Sequence, residues 1–189
     1  MKRNLLHSIL LLSGLLFLAV ACDKTETFDD RWKIENEAQF AKITANTEYT
    51  RLNSQSGNGY IMYRELEQGD GATPYFTDQV KVLYTGWYKN DWSQPDSYTN
   101  DKGNIIQNKI IFDSTQDNNI PRTFFVNPSE SKGTVYGVID GLSTALQQMQ
   151  VGDKWEVWIP CKLGYGEMGK YSIAGYTTLV FEIELVSIQ

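Results

Sequence analysis

The chain has 189 residues and a formal charge of −6, with 41% hydrophobic and 21% charged residues. That length suits one ordinary domain with added segments and is short for two full ones. The composition is globular, neither disordered nor fibrous. The acidic balance argues against a strongly basic nucleic-acid binder, and no nucleic acid is expected as a partner.

The N-terminus reads as an export signal. Lys2 and Arg3 precede an apolar run from Leu5 to Ala21, broken only by His7, Ser8, Ser13 and Gly14. A transmembrane helix wants about 20 apolar residues. This run is shorter, terminal and closes in small residues, as signal peptides do. The string Leu18-Ala19-Val20-Ala21-Cys22 resembles a bacterial lipobox, with Ala19 where leucine is commoner. The resemblance implies a signal peptide over 1–21, lipidation at Cys22 and attachment to a bacterial membrane in the cell envelope, on its periplasmic or surface face. Ordinary secretion with an incidental cysteine is the alternative.

Cleavage before Cys22 would leave 168 residues and, with Lys2 and Arg3 gone, a side-chain charge of −8. His7, the single histidine, would go too. That excludes Ser-His-Asp and Cys-His catalysis and any imidazole-based zinc site. No metal site and no cofactor are expected. Cys161 would be the only free thiol, without an intramolecular disulfide partner, and it reads as a small buried apolar residue.

Residues 22–58 read as a lipid-anchored tether followed by a helix. Asp23 to Thr27 is polar and short. From Asp29 to about Ala45, Trp32, Phe40 and Ile43 stand among polar residues, and Asp29 or Asp30 is the expected cap. Such a helix would pack on the main domain or on a partner. Asn53 to Gly59 is a linker by composition, so the globular domain is placed at 59–189.

Beyond it the pattern is that of strands. Tyr60 to Leu66 reads as one, stopped by the turn Gly69-Asp70-Gly71. Val80 to Tyr84, Trp155 to Ile159 and Thr178 to Val186 alternate with period two. In the last, Leu179, Phe181, Ile183 and Leu185 share a face opposite Glu182 and Glu184, which form a solvated face. Leu142, Ala145, Leu146 and Met149 make one helical stripe, with Asp140 before it and Gly152 after it as cap and stop. One short helix against a twisted antiparallel sheet is an α+β design. Asn90 to Asn108 is polar and turn-rich and reads as a surface loop or extended hairpin.

Six strings, in order over residues 59–188, resemble the FKBP-type peptidyl-prolyl isomerases. They are Val80 to Gly86, Ile111-Phe112-Asp113-Ser114, Val138 to Leu142, Met149 to Lys154, Leu163-Gly164-Tyr165-Gly166, and Thr178 to Leu185. The resemblance implies a half-barrel of about five antiparallel strands wrapped around the helix near 141–149, with an apolar pocket between helix and sheet. It implies catalytic roles for Tyr84, Asp113 and Tyr165. Phe112, Phe124, Val138, Ile139, Leu142, Ile173 and Phe181 would bind substrate, with the Ile139 N–H and the Tyr165 hydroxyl meeting carbonyls and Ile173 in a flap over proline. Proline-containing unfolded or exported polypeptides would be the substrates. Taken singly, Tyr84, Phe112 and Phe181 read as core, Asp113-Ser114 as a turn and Tyr165 as a loop anchor; their joint order makes the site.

The chain departs from the family pattern in three places. Leu142 stands where tryptophan usually forms the pocket floor, Arg122 stands at a usually apolar position, and the flap Ser172 to Tyr176 lacks prolines. Insertions fall near 89–110 and 127–137. Two other readings stay open: a non-catalytic FKBP-like chaperone or interaction module, and a glycan-binding envelope lipoprotein using Trp87, Tyr88, Trp92 and Tyr98.

Overall fold

A computed structural model describes residues 27–189. The signal peptide, the lipidation of Cys22 and most of the tether fall on residues 1–26, outside the described residues.

Helix α1 (Phe28–Ala45) opens with a capping box. The Asp30 carboxylate accepts from the Thr27 N–H at 3.2 Å, and the Asp30 N–H donates to Thr27 Oγ1 at 3.2 Å. Thr27 is therefore the cap, not Asp29 or Asp30. Asp30 sits at the third helical position, where its side chain reaches back to the cap. Trp32, Asn36 and Phe40 recur every fourth residue and form the buried stripe of α1.

The strands are β1 (Thr50–Asn53), β2 (Tyr60–Glu67), β3 (Gln79–Lys89), β4 (Ser97–Thr99), β5 (Ile105–Gln107), β6 (Lys109–Ser114), β7 (Arg122–Phe125), β8 (Ser131–Lys132), β9 (Val135–Tyr136), β10 (Lys154–Ile159) and β11 (Leu179–Ile188). The main sheet runs β1-β2-β10-β11-β3-β6, and β7 also pairs with β3. Every pairing in it is antiparallel. Strand β3 divides its edge: Gln79–Val82 pair with β7 and Thr85–Lys89 with β6. Asn53 to Gly59, read as a linker, is the turn of the β1–β2 hairpin, closed by the Ser54 N–H to Gly59 O bond at 2.9 Å. The sheet thus starts at Thr50, earlier than the boundary drawn at 59.

Helix α2 (Asp140–Leu146) lies against the inner face of this sheet, with Gly141 to Leu146 all buried. Its core includes Val80, Val82, Trp155, Val157, Leu179, Ile183 and Leu185. Ile139 is the cap position and carries no side-chain cap. Asp140 lies one residue inside and instead accepts from Ser54 Oγ at 2.9 Å and Ser56 Oγ at 2.5 Å, tying the β1–β2 turn to the helix. Met149 is fully buried just beyond the helix end.

The outer face of the sheet is covered as well. Phe40 from α1 packs with Met62, Trp158 and Val180, and Trp87 and Trp92 pack against this group. Trp92 lies 6.1 Å from Trp87 and 5.4 Å from Trp158 between ring centroids. Tyr88 is buried on the opposite side. Of the rings read as a sugar platform, Trp87, Tyr88 and Trp92 therefore cover the sheet, whereas Tyr98 lies on β4, outside it. The 89–110 insertion folds into the β4–β5 hairpin, braced by buried Asn108, whose Nδ2 donates to the carbonyls of Asp91 and Pro95 at 2.8 Å each. The second insertion carries the β8–β9 hairpin.

Candidate active site

An open cavity of about 230 Å³ lies between α2 and the sheet. Alternation along β3 aims Val82 and Tyr84 into it, and alternation along β11 aims Phe181 and Ile183. Gly86, next on the same face of β3, leaves room for two rings. A Cβ there would stand 2.7 Å from both Phe112 Cζ and Phe181 Cε1. Its absence lets Phe112 and Phe181 meet edge to face, with centroids 5.5 Å apart. Phe124 from β7 and Leu142 from α2 complete the apolar lining.

One corner is polar. The Tyr84 hydroxyl donates to Asp113 Oδ2 at 2.5 Å. Arg122 Nη1 donates to the Tyr84 oxygen at 2.5 Å and to the two Asp113 oxygens at 2.9 and 2.8 Å. Burial, and then the bond to Asp113, push the Tyr84 pKa well above its usual range, so this hydroxyl stays protonated. Burial, and then the Asp113 charge, also raise the Tyr165 hydroxyl. Tyr165 follows a 3-10 turn at Cys161–Leu163 and sets its ring edge against Phe112 at 6.5 Å.

Val138 and Ile139 lie at the rim, just before α2. Among the described residues, the Ile139 N–H and the Tyr165 hydroxyl have no hydrogen-bond partner. Both residues line the cavity, so two donors without a protein partner belong to the lining of an otherwise largely apolar space.

The cavity thus brings together Tyr84, Phe112, Asp113, Phe124, Val138, Ile139, Leu142, Tyr165 and Phe181. Ile173 is not among its lining residues; it is 7% exposed and packs into the main core. From the same loop, Lys170 takes the rim, with its Nζ 5.5 Å from the centre of the Tyr165 ring. Tyr136, Gly137, Val82 and Ile183 also line the cavity, beyond the residues the sequence points to. Val82 and Ile183 could have been found by stepping two residues along β3 and β11 from Tyr84 and Phe181. Lys170 and Tyr136 sit in loops with no periodic signal. Cys161 is half-buried, and burial pushes its thiol up, which disfavours the reactive thiolate.

Residues 71–186 match the family model described as FKBP-type peptidyl-prolyl cis-trans isomerase. The chain belongs to the FKBP-type peptidyl-prolyl cis-trans isomerase family. The FKBP-type 22 kDa peptidyl-prolyl cis-trans isomerase of Escherichia coli is 39% identical over 129 residues, which is 68% of this chain and 50% of that protein. An FKBP-type isomerase named FkpA from Aeromonas hydrophila is 31% identical over 166 residues, covering 87% of this chain and 51% of that one. This FKBP-type chain therefore spans about half the length of the curated relatives it matches. A crystal structure of a peptidyl-prolyl cis-trans isomerase from Pseudomonas syringae superposes with a TM-score of 0.62 at 27% identity, over 87% of this chain and 98% of that one. The half-barrel and central helix are thus the FKBP fold, and the cavity lies between them.

Proposed function

We propose that the protein is a peptidyl-prolyl cis-trans isomerase for proline-containing unfolded or exported polypeptides in the cell envelope. The observation that carries this reading is the pair of unengaged donors, the Ile139 N–H and the Tyr165 hydroxyl, on residues that line an aromatic cavity. Turning an X-Pro bond makes and breaks no covalent bond. Its barrier of roughly 18–20 kcal/mol arises because the twisted amide loses resonance. The twisted amide is less dipolar than the planar one, so a dry apolar surface favours it. Proline would pack among Phe112, Phe124, Phe181 and Leu142. Ile139 N–H would hold one carbonyl and Tyr165 another, both fixed before the rotation begins. Asp113, held in place by Tyr84 and Arg122, would face the rotating amide. No nucleophile and no proton transfer are required.

Turnover of a proline peptide in a cis-trans assay tests this directly; a folded protein without activity would favour the non-catalytic binding module. The smaller floor at Leu142 is the observation that supports that second reading.

The Cys22 lipid anchor belongs to the same proposal. It is supported by the lipobox-like string and by a Legionella longbeachae relative named outer membrane protein MIP, 32% identical over 130 residues. No helix among the described residues is long and apolar enough to cross a membrane. Cys22→Ala is expected to leave the protein unlipidated and to release it from the membrane fraction, because stable attachment takes two acyl chains. Retention without the thiol would contradict the anchor.

A further inference from the structure

Helix α1 reaches the loop that carries Tyr165 and Lys170. This loop, residues 164–178, doubles back on itself: the Tyr176 N–H donates to Gly166 O at 3.0 Å. Gly175 lies so close to the outgoing limb that a Cβ would stand 1.8 Å from Glu167 O. The outgoing limb lines the cavity with Tyr165 and Lys170. Its tip has little packing of its own, since Met168 is 94% and Tyr171 96% exposed. Tyr171 and Tyr176 both hold positive φ, at 53° and 62°, a conformation that side-chain-bearing residues keep only when their surroundings fix it.

The return limb is fixed by α1. Trp32 Nε1–H donates to Thr177 Oγ1 at 3.1 Å, and that hydroxyl donates to Ala174 O at 2.7 Å. The Asn36 side-chain oxygen accepts from the Thr178 N–H at 2.9 Å, and the Asn36 carbonyl accepts from Thr178 Oγ1 at 3.1 Å. Lys33 Nζ stands 4.8 Å over the Tyr176 ring. Trp32, Asn36, Thr177 and Thr178 are all buried, so water does not compete for these bonds. Three consecutive residues of the return limb are thus held by one turn of α1. The same Trp32 ring also meets Tyr88 edge-on at 6.2 Å, and Tyr88 stacks at 6.3 Å on Phe112, a wall of the cavity.

We propose that α1 positions the substrate loop: Trp32 and Asn36 hold its return limb so that Tyr165 and Lys170 stay over the cavity. They are positioning residues, since neither lines the cavity. The consequence for turnover rests on the isomerase reading; the clamp itself does not. Ile173 anchors the loop to the core independently, so loss of the clamp loosens the loop without detaching it.

The test uses the full chain with Trp32→Phe, which keeps a ring against Tyr88 and removes the N–H. A neutral hydrogen bond is worth a factor of roughly two to ten, so KM for an X-Pro peptide should rise by about that factor with kcat nearly unchanged. Backbone amides in 164–178 should exchange faster, while those of β10 and β11 keep wild-type protection. In a Thr177→Val background, which removes the acceptor from the other side, Trp32→Phe should add nothing further. Unchanged loop exchange, or a lower Tm alone, would overturn the clamp and leave Trp32 a packing residue. Faster exchange with unchanged KM would overturn its link to substrate binding. Should the wild-type protein turn over no proline peptide, the isomerase reading fails, and the exchange measurement decides the clamp without it.

Discussion

Arg122 on β7 closes an ion pair with Asp113 on β6, with Nη1 2.8 Å from Oδ2, and the same nitrogen reaches the Tyr84 hydroxyl. The residue that departs from an apolar family position therefore fills that position with a charge tied to the pocket carboxylate. Both side chains are nearly half exposed, at 47% and 41%, so the pair contributes little to stability. Arg122 places a positive charge against the cavity-lining Asp113, and Lys170 brings another to the same cavity.

Arg122→Leu should leave unfolding free energy within about 1 kcal/mol of wild type in urea titrations. It should change peptide preference instead. With one positive charge removed, the ratio of kcat/KM for Lys-Pro over Glu-Pro peptides should rise roughly two- to fivefold at low salt. The change should fade at high ionic strength, where exposed charges are screened. An unchanged ratio would mean that Arg122 does not act on the bound peptide.

Leu142 tests the pocket floor. It lines the cavity from α2 and offers less apolar area than a tryptophan. At about 25 cal/mol per Å², a gain of a few tens of Å² is worth roughly 1 kcal/mol. Leu142→Trp should therefore raise kcat/KM several-fold. A fall in a variant with native circular dichroism would show a cavity shaped for another ligand.

Glu156 on the outer face of β10 gives a pH prediction for stability. It accepts from Tyr49 at 2.5 Å, from Trp158 Nε1 at 2.7 Å and from Arg64 at 2.8 Å. Burial alone would raise its pKa, but these bonds outweigh burial and hold it below the usual carboxylate range. A lowered folded pKa means that this contribution is present above about pH 4.5 and is lost as pH falls through the folded value. Tyr49 behaves in the opposite sense. Burial, and then the bond to Glu156, push it up to about 12. Its contribution is present below about pH 10 and is lost as pH rises towards the folded value. Urea midpoints measured between pH 3 and 11 should fall at both ends. Glu156→Gln should flatten the acid limb.

The parts of this architecture that repeat along the chain were legible in the sequence. Period two along β3, β10 and β11 put Tyr84, Val157 and Phe181 on the inner face, and the Leu142–Leu146 stripe marked α2. Packing of α1 on the main domain was one of two expectations for it, but the contact that fixes the docking was not legible. Its central contact is Asn36, a fully buried polar residue that accepts from Trp92 Nε1 at 3.1 Å as well as from Thr178. An asparagine on a helix reads as solvent-facing until the donors it satisfies, 56 and 142 residues away, are brought to it by the fold. Thr50–Asn53 carries no strand signal of its own, because the Gly- and Ser-rich turn after it has the composition of a linker. At the rim, Ile173 looked like the ligand-facing residue of its loop, yet the Lys170–Ile173 bridge turns it into the core and leaves Lys170 at the cavity. Loop direction of this kind carries no periodic signal.

In the proposed reaction the donors and the carboxylate around this cavity accelerate X-Pro rotation without proton transfer. The most direct measurement is kcat/KM for an X-Pro peptide in wild type and in the Tyr165→Phe/Asp113→Ala double variant, with folding checked by circular dichroism. No histidine lies among the described residues, and burial keeps Tyr84 and Tyr165 protonated, so wild-type kcat/KM should be nearly flat between about pH 6 and 8. Tyr165→Phe alone should cost a factor of roughly two to ten, as expected for one neutral hydrogen bond. The double variant should cost more than either single change while remaining folded. A folded double variant that turns over the peptide at the wild-type rate would contradict this mechanism.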